Sequence, residues 1–254
     1  MEYPKLTNNE IKRYASLKQK KYRRQLGMFI ADGNHLVDEA VKSGWQIDRV
    51  VVKPEAVETI DSLNIQRNLV ALANSQNFAK IAPSKTPQGV LAIVDTPKAE
   101  NIILGIVKSA RRLIACDNIA DPGNLGTIIR TAVAFEYDAV ILIGNCAEPY
   151  NPKTVTATQG GIFRIPVVEI TDISDFLTIF GRIFKIVALS GNYSAPLSDS
   201  PKIPKPLIVV GGETHGISPE IEKTANYKYH IEQSSRIDSL NAAIAAAIAM
   251  YKFC

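Results

Sequence analysis

The stretch CDNIADPGNLGTIIRTAVAFEYDAVILIG, residues 116–144, contains the pattern that decides the fold. An apolar strand pattern ends at an Asp-Pro-Gly-Asn turn, a helical pattern follows at once, and a second apolar strand pattern closes the stretch. A strand, a helix and a strand in this order predict two parallel strands joined by a crossover helix. The stretch therefore predicts an α/β fold.

The rest of the second half repeats this alternation, and a final helix is predicted from about residue 239 to 253. Near-continuous apolar strands alternating with helices predict a parallel sheet covered on both faces. The six strand candidates are RLIACDN (112–118), AVILIG (139–144), RIPVVEI (164–170), FKIVALS (184–190), PLIVVGGE (206–213) and YKYHIE (227–232). Ligands of such sheets bind beyond the carboxyl ends of the strands. A ligand site is therefore expected among the loops after Asn118, Gly144, Ser190, Val210 and Ile231.

The first half shows a shorter α/β alternation, and we place a soft domain boundary near residue 100. The predicted strands are IDRVVVK (47–53), LVALAN (69–74) and GVLAIVD (89–95). The predicted helices cover residues 8–24, with a cap at Asn8 or Asn9, a segment ending at Gly44, and residues 58–68. Residues 96–110 are predicted to form a connection or a helix.

Asn124 and Arg130 are the candidate functional residues of the opening stretch. Asn is common at helix caps, so Asn124 is predicted to cap a helix that starts at Leu125. The same helix N-terminus is also a natural anion site, and both interpretations stay open. Arg130 lies in the most apolar part of the helix, where an unpaired buried charge is costly, so we expect it to have a partner.

Two further segments carry unusual residues. PLIVVGGETHGIS (206–218) places Gly211, Gly212 and Glu213 after a buried strand. Paired glycines permit close approach of a ligand to the backbone, and Glu213 would pair with Arg130 or accept hydrogen bonds from a ligand. Ser218 is predicted to cap the next helix, and His215 is assigned no role. In the last helix Ser239 is the predicted cap, with Asn241 beside it, and Ala-rich faces of this kind belong to a core or a subunit interface.

Composition describes an ordinary globular protein with one basic end. The chain of 254 residues has a formal net charge of +4. Residues 1–24 hold eight Lys or Arg against two Glu, so the remaining 230 residues sum to −2. A basic segment suits a phosphate backbone, but a solvated helix face explains it equally well. No apolar run reaches the length of a membrane span, the N-terminus is polar, and the three cysteines show no metal spacing, which together predict a reduced cytoplasmic protein.

The sequence lacks several motifs. No G-x-G-x-x-G follows a strand and no G-x-x-x-x-G-K-[ST] occurs, so an ordinary dinucleotide site and P-loop nucleotide hydrolysis are disfavoured. No Ser-His-Asp elbow and no metal-ligand cluster is visible.

Three segments taken together resemble the motifs of the SpoU (TrmH-like) branch of the SPOUT RNA methyltransferases. They are NLGTIIRTA (124–132), LIVVGGETHGIS (207–218) and IEQSSRIDSLNAAIAAAI (231–248), and TQGGIFRIPV (158–167) is similar to the family's segment between the first two. RQLGMFIADGNHLVDEAVKSG (24–44) is similar to the L30e-like substrate-binding domain of ribosomal-RNA members. Two departures are Gly212, where the family commonly has Asn, and Glu232, where it commonly has Pro.

The resemblance implies a parallel-sheet SPOUT domain (residues 101–254) with a C-terminal deep trefoil knot, preceded by a smaller L30e-like RNA substrate-binding domain (residues 1–100). It implies transfer of a methyl group from S-adenosylmethionine to a ribose 2′-hydroxyl of RNA, with 23S ribosomal RNA expected as the substrate. A transfer-RNA enzyme of the same family and an inactive RNA-binding relative are the alternatives. An unrelated α/β protein that binds a small molecule is a third, and it leaves the basic end and the motif order unexplained.

Residue roles follow from the same resemblance. The implied catalytic residues are Arg130, Asn124, Glu213, Ser239 and Asn241. The implied cofactor contacts, largely through the main chain, are Leu189, Gly191, Gly211, Ile231 and Leu240. The expected RNA-binding residues of the basic segment are Lys12, Arg13, Lys20, Lys21, Arg23 and Arg24. The family also implies a homodimer, which agrees with a last helix whose apolar residues Ile244, Ile248, Met250 and Tyr251 cover more than one side.

Overall fold

The computed structural model describes residues 3–61, 63–97, 99–212 and 215–254. The chain divides into two units. The first unit contains residues 1–97 together with Tyr150–Arg164, and the second contains residues 98–149 and 165–254. None of the described helices has both the length and the apolar composition of a membrane span.

The second unit is built on a six-stranded sheet in which every neighbouring pair is parallel. Its strands are β5 (Leu113–Asp117), β6 (Ala139–Ile143), β7 (Val167–Ile170), β8 (Lys185–Leu189), β9 (Pro206–Gly211) and β10 (Tyr227–Tyr229), in the order β10-β8-β9-β5-β6-β7. Every residue of β5 and β6 is buried, because helices cover both faces. The predicted α/β class and parallel sheet are confirmed.

Five helices accompany this sheet in the described part of the second unit. They are α6 (Ala99–Ser109), α7 (Pro122–Ala134), α9 (Ile173–Phe180), α10 (Pro219–Thr224) and α11 (Ala242–Lys252). The core under α9 contains Phe176, Phe180 and Phe184, whose successive ring centroids lie 5.9 Å and 6.1 Å apart. Helices α7 and α11 pack together, and Tyr137 after α7 donates its hydroxyl to the Met250 carbonyl at 3.3 Å.

The carboxyl ends of the parallel strands lie at one edge of the sheet, and this edge positions the site. Strands β5 and β9 are paired neighbours with Asp117 opposite Gly211, and β8 lies on the other side of β9 with Leu189 opposite Val210. The loops chosen from the sequence therefore lie side by side. Strand β10 ends at Tyr229, two residues before the predicted loop after Ile231.

The first unit has a four-stranded mixed sheet. Its strands are β1 (Met28–Asp32), β2 (Ile47–Val52), β3 (Val70–Leu72) and β4 (Val90–Asp95), in the order β1-β4-β2-β3. Strand β4 is antiparallel to β1 and β2, and β2 is parallel to β3. Its helices are α1 (Asn8–Ser16), α2 (Lys20–Leu26), α3 (Asn34–Ser43), α4 (Val57–Asp61), α5 (Ser75–Ile81) and α8 (Pro152–Thr158).

The predicted single helix over residues 8–24 is wrong, because the segment forms two helices. The buried Arg23 donates from its guanidinium to the Leu17 carbonyl at 2.7 Å, so this carbonyl, at the break, has a side-chain donor. The cap is Thr7 rather than Asn8 or Asn9, since Thr7 and Glu10 form a reciprocal capping box. The helix predicted over residues 58–68 is confirmed only for α4, which ends at Asp61.

The segment Tyr150–Arg164 comes from the second half of the sequence but packs within the first unit. The buried Phe29 of β1 stacks on Phe163 with ring centroids 5.9 Å apart, and the centroid of the Tyr150 ring lies 4.9 Å from that of Phe29. Arg164 donates two hydrogen bonds to the Glu39 carboxylate, at 2.7 Å and 3.0 Å. These contacts complete the core of the first unit with residues that are distant in sequence.

Candidate active site

Asp117, at the end of β5, ties two loops of the sheet edge together. Its fully buried carboxylate accepts hydrogen bonds from the Ser218 N–H at 2.6 Å, the Ser218 hydroxyl at 3.0 Å and the Asn118 amide at 2.7 Å. Its carbonyl accepts from the Gly212 N–H at 2.9 Å. A buried carboxylate needs such donors. Asp117 was not among the predicted site residues, although it is the single acid in an otherwise apolar strand.

The predicted cap of α7 is wrong, and the correction gives Asn124 a different task. Helix α7 begins at Pro122, and Asp121 is its cap: Oδ1 of Asp121 accepts from the Asn124 N–H at 2.7 Å. The Asn124 side chain is therefore not used as the cap. Its Oδ1 instead accepts a hydrogen bond from Nδ2 of Asn241 at 2.9 Å. Two of the predicted catalytic residues thus contact each other directly.

Asn241 is the cap of α11, in place of the predicted Ser239. Its Oδ1 accepts from the N–H groups of Ala243 at 3.0 Å and Ile244 at 3.3 Å, so both ends of its amide are engaged. Ser239 lies two residues before the cap, is exposed, and lines the cavity described next. The capping role predicted for Ser239 is excluded because Asn241 already bonds the first N–H groups of the helix.

A cavity of about 390 Å³, the first cavity, lies at the ends of β8 and β9. Its walls include all five residues expected to contact a cofactor, namely Leu189, Gly191, Gly211, Ile231 and Leu240. Apolar side chains such as Leu189, Ile231 and Leu240 alternate around it with polar groups such as Asn192 and Asp238. This mixture suits an amphipathic small molecule, and the volume falls within the range of about 300–1,000 Å³ that is usual for ligand pockets.

Contacts within the chain itself require glycine at positions 211 and 212. A Cβ on Gly211 would lie 2.1 Å from the carbonyl carbon of Gly216, and a Cβ on Gly212 would lie 2.5 Å from the Asn118 carbonyl oxygen. Glycine is therefore required because the chain packs closely against itself. Close approach of a ligand to this backbone, which the sequence suggested, stays a prediction.

A second cavity of about 440 Å³ adjoins the first. The two cavities share Gly212, His215 and Ala242, and the second also contains Asn118, Asp121, Asn124 and Asn145. A ligand in the first cavity would therefore lie next to one in the second. His215, for which no role was predicted, is an exposed wall residue of both cavities, and only its place on a Gly-rich loop pointed to it.

Arg130 is exposed, although its neighbours in the sequence are apolar. The buried side of α7 carries Leu125, Ile128, Ile129 and Ala132, and Arg130 points away from it. Six residues along a helix correspond to a rise of about 9 Å and a different side, so Arg130 does not share the face of Asn124. Ser239 lies in the wall of the first cavity, Asn124 lies in the wall of the second, and Ala242, the neighbour of Asn241, lies in both. Among the described residues, Arg130 lines neither cavity. Glu213 lies outside the described residues.

The basic residues predicted to bind RNA lie in the first unit. Lys12, Arg13, Lys20, Lys21 and Arg24 are exposed. Arg23 is only 3% exposed and bonds the Leu17 carbonyl, so its predicted role in RNA binding is corrected to a structural one. Across the ranges that the structure covers, no three His, Cys, Asp or Glu side chains form a group able to hold a metal ion.

Comparison with known proteins places these features in a family. The model of the SpoU rRNA Methylase family matches residues 111–251, and that of the MRM3-like substrate binding domain matches residues 8–92. The 23S rRNA (guanosine(2553)-2'-O)-methyltransferase RlmP of Bacillus subtilis is 31% identical over 247 residues, which cover 96% of this chain and 95% of that protein.

Two solved structures have the same fold as this chain. An AdoMet-bound rRNA methyltransferase from Sinorhizobium meliloti superposes with a TM-score of 0.86 and 32% identity, over 98% of this chain and 95% of that chain. The SpoU methyltransferase AviRb from Streptomyces viridochromogenes, in complex with AdoMet, has a TM-score of 0.85 over 97% of each chain; at 21% identity it supports the fold alone. The first family model covers more than half of the sequence. The chain therefore belongs to the SpoU rRNA methylase family.

Proposed function

We propose that this protein is an S-adenosylmethionine-dependent methyltransferase that modifies a ribose 2′-hydroxyl of 23S ribosomal RNA. The single observation that carries the proposal is the first cavity, whose walls unite the five expected cofactor contacts and which shares three residues with a second cavity containing Asn124. Two of the relatives named above are called ribosomal-RNA methyltransferases, and two were crystallised with AdoMet. Family, cavity and relatives point to one reaction.

The cofactor would occupy the first cavity. Leu189, Ile231 and Leu240 offer apolar surface to an adenosine group, and the backbone at Gly191 and Gly211 offers polar groups. When bound, S-adenosylmethionine supplies an electrophilic methyl group on a positively charged sulfur. The chain's own contribution is to hold the attacking hydroxyl in line with that methyl group, since positioning accounts for much of the rate of such reactions.

The RNA ribose would enter the second cavity beside Asn124. Asn124 and Asn241, joined by their hydrogen bond, fix one wall, and Ser239 stands on the loop next to them. Glu213 completes the proposed set of catalytic residues. Arg130, which lines neither cavity, would bind the phosphate next to the target ribose through its planar guanidinium, and its charge would favour release of the hydroxyl proton to solvent water. It is a poor general base, because arginine stays protonated in proteins.

The first unit would hold the RNA. The match to a substrate binding domain and the exposed cations Lys12, Arg13, Lys20, Lys21 and Arg24 support this assignment. We assign RNA binding to residues 1–100, as an L30e-like domain, and methyl transfer to residues 101–254, as a SPOUT domain with a deep trefoil knot. A cytoplasmic homodimer with the active site near the subunit interface completes the proposal, and such a site would accommodate the exposed Arg130.

Methyl transfer to purified RNA tests the function. The protein is incubated with isotopically labelled S-adenosylmethionine and with ribosomal RNA or transfer RNA from cells that lack the gene, and ribose methylation is mapped by mass spectrometry. We expect the label in 23S ribosomal RNA. Label in transfer RNA would select the other substrate class of the family. RNA binding without methyl transfer and without cofactor heat in calorimetry would identify an inactive relative and reject the enzyme.

A further inference from the structure

The residue after Ile231 attaches the wall of the first cavity to a neighbouring turn. Ser198 donates its hydroxyl to Oε1 of Glu232 and its backbone N–H to Oε2 of the same carboxylate at 3.4 Å. Nζ of Lys252, in the last turn of α11, donates to the Ser198 carbonyl at 2.8 Å. Glu232 is thereby connected through the short 3-10 helix Leu197–Asp199 to α11.

This attachment lies where the backbone pairing stops. His230 donates its N–H to the Ala195 carbonyl at 2.9 Å, and the Leu197 N–H donates to the His230 carbonyl at 2.7 Å. The Glu232 carboxylate carries the connection two residues farther along the chain. We call residues 231–240 the cofactor loop. The next attachment lies directly after its far end, where Asn241 bonds Asn124 at 2.9 Å.

Between these two ends the cofactor loop is exposed and its hydrogen bonds are local. Nε2 of Gln233 donates to the Asp238 carbonyl at 3.3 Å, and the Arg236 N–H donates to the Ser234 hydroxyl at 3.3 Å. The cofactor loop nevertheless supplies Gln233, Asp238, Ser239 and Leu240 to the cavity wall. A loop with few attachments loses conformational entropy when a ligand orders it, and an attachment already present reduces that cost.

The Glu232 carboxylate is suited to this task. The hydrogen bond from the Ser198 hydroxyl is the largest of the effects that hold the pKa of Glu232 below its ordinary value, so the group is ionised at neutral pH. Hydrogen bonds to an ionised acceptor are stronger than those between neutral groups. A proline, common here in the family, would restrict the backbone dihedral φ directly, whereas Glu232 restrains the chain through its side chain.

We propose that Glu232 is a positioning residue for cofactor binding, which fixes the first end of the cofactor loop through its hydrogen bonds to Ser198. The proposal rests on the proposed function, since it concerns the affinity of the same site. It adds a residue that touches neither the ligand nor the reacting atoms and acts through the position of Ile231 and the cofactor loop.

Calorimetric titration with S-adenosylmethionine tests the proposal on four variants and a control. E232A is expected to weaken binding roughly tenfold, on the scale of one hydrogen bond to a charged group. S198A should have a similar effect, and the double variant should be no weaker than either single variant, because both remove one interaction. E232Q keeps an acceptor oxygen for the Ser198 hydroxyl and should recover part of the affinity. The control is E220A, which removes an exposed carboxylate of α10 and should bind normally.

Two further readouts separate positioning from stability. The thermal midpoint of E232A should equal that of the wild type, because the Glu232 side chain is exposed. At saturating cofactor, kcat should stay near the wild-type value while the KM for cofactor rises. Wild-type affinity in E232A, or fully additive losses in the double variant, would overturn the role of Glu232 alone. A wild-type protein that binds no S-adenosylmethionine would reject both the proposed function and this inference.

Discussion

Asn241 links two helices through the two ends of one amide: its Oδ1 caps α11, and its Nδ2 donates to Oδ1 of Asn124 at 2.9 Å. Asn124 lies in the first turn of α7, where Asp121 already serves as the cap. A single side chain therefore holds the start of α11 next to the wall of the second cavity that contains Asn124. Its two hydrogen-bonding functions can be separated by substitution.

N241D should keep the stability of the protein and lose its activity. An aspartate still accepts from the first N–H groups of α11 and favours the helix N-terminus, but it cannot donate to Asn124. N241A loses both functions and should also lower the free energy of unfolding by about 0.5–2 kcal/mol, the usual effect of removing a cap. Urea unfolding and methyl transfer measured on both variants check this prediction. Wild-type turnover in N241D would show that the contact with Asn124 has no catalytic importance.

Replacing Arg130 should abolish methyl transfer and leave the rest of the protein unchanged. The side chain is exposed, so R130A should unfold at the wild-type temperature, and cofactor binding should persist because the proposed partner is an RNA phosphate. R130K should restore little activity, since a point charge does not reproduce the bidentate fork. R182A, which removes another exposed arginine of the second unit, is the matched control. Turnover close to normal in R130A would contradict the assignment.

Two glycines of the first cavity provide a matched pair. G211A should lower the free energy of unfolding by about 1–3 kcal/mol and abolish cofactor binding, because the new methyl group would overlap the Gly216 backbone. G191A lines the same cavity, but its Cβ would meet nothing within 4 Å, so the fold should tolerate it. Thermal unfolding and calorimetry on both variants distinguish the two effects. Equal stability of the two variants would mean that the backbone at Gly211 and the backbone at Gly216 can move apart.

Charge removal, rather than truncation, tests the RNA-binding surface. Deleting residues 1–24 would also remove Ile11, Tyr14 and Leu17 from the core of the first unit. The variant K20A/K21A/R24A should instead weaken RNA binding and lower its salt dependence, by roughly 0.7–0.9 in the logarithmic slope for each phosphate that is no longer neutralised. R23A should instead affect stability: it should lower the free energy of unfolding by about 1–3 kcal/mol, because the Leu17 carbonyl loses its donor. If the salt dependence of RNA binding is unchanged in the triple variant, the basic segment is only a solvated helix face and does not bind RNA.

The outer face of α11 should form the subunit interface. Tyr251, Ile244 and Ile248 are 69%, 50% and 39% exposed, whereas Met250, also expected on that surface, is buried in the core. Sedimentation should show a species of twice the 27.8 kDa chain mass at micromolar concentration. I248E/Y251E should dissociate the dimer and reduce cofactor binding with it. A monomer with full methyl-transfer activity would exclude the dimer as the functional form.

The fold was predictable from the sequence because the strands of the parallel sheet are buried on both faces and therefore nearly continuous in apolar residues. Helix caps were less so. At three helix starts several cap-forming residues lie close together in the sequence. The expected caps were Asn8 or Asn9, Asn124 and Ser239, whereas the structure uses Thr7, Asp121 and Asn241. A cap depends on the local backbone angles, which composition does not contain.

Side-chain environments set by tertiary contacts were not predictable. The apolar neighbours of Arg130 suggested burial, but the orientation of α7 decides which side of the helix faces the core. Arg23 looks like its cationic neighbours in the sequence, and only the break after α1 gives it a buried carbonyl partner. The attachment of Glu232 to Ser198 joins residues 34 positions apart, for which no local pattern exists.

The aromatic stack around Phe29 has a consequence for folding during translation. Phe29 is made early, but the rings that cover it, Tyr150 and Phe163, are added more than a hundred residues later. Glu39 likewise waits for Arg164. The amino-terminal unit therefore cannot mature in the order in which it is translated, since residues 1–97 emerge with an uncovered apolar surface. A nascent chain released before residue 164 would expose this apolar surface to chaperones and proteases, even if all four strands of the first unit were formed.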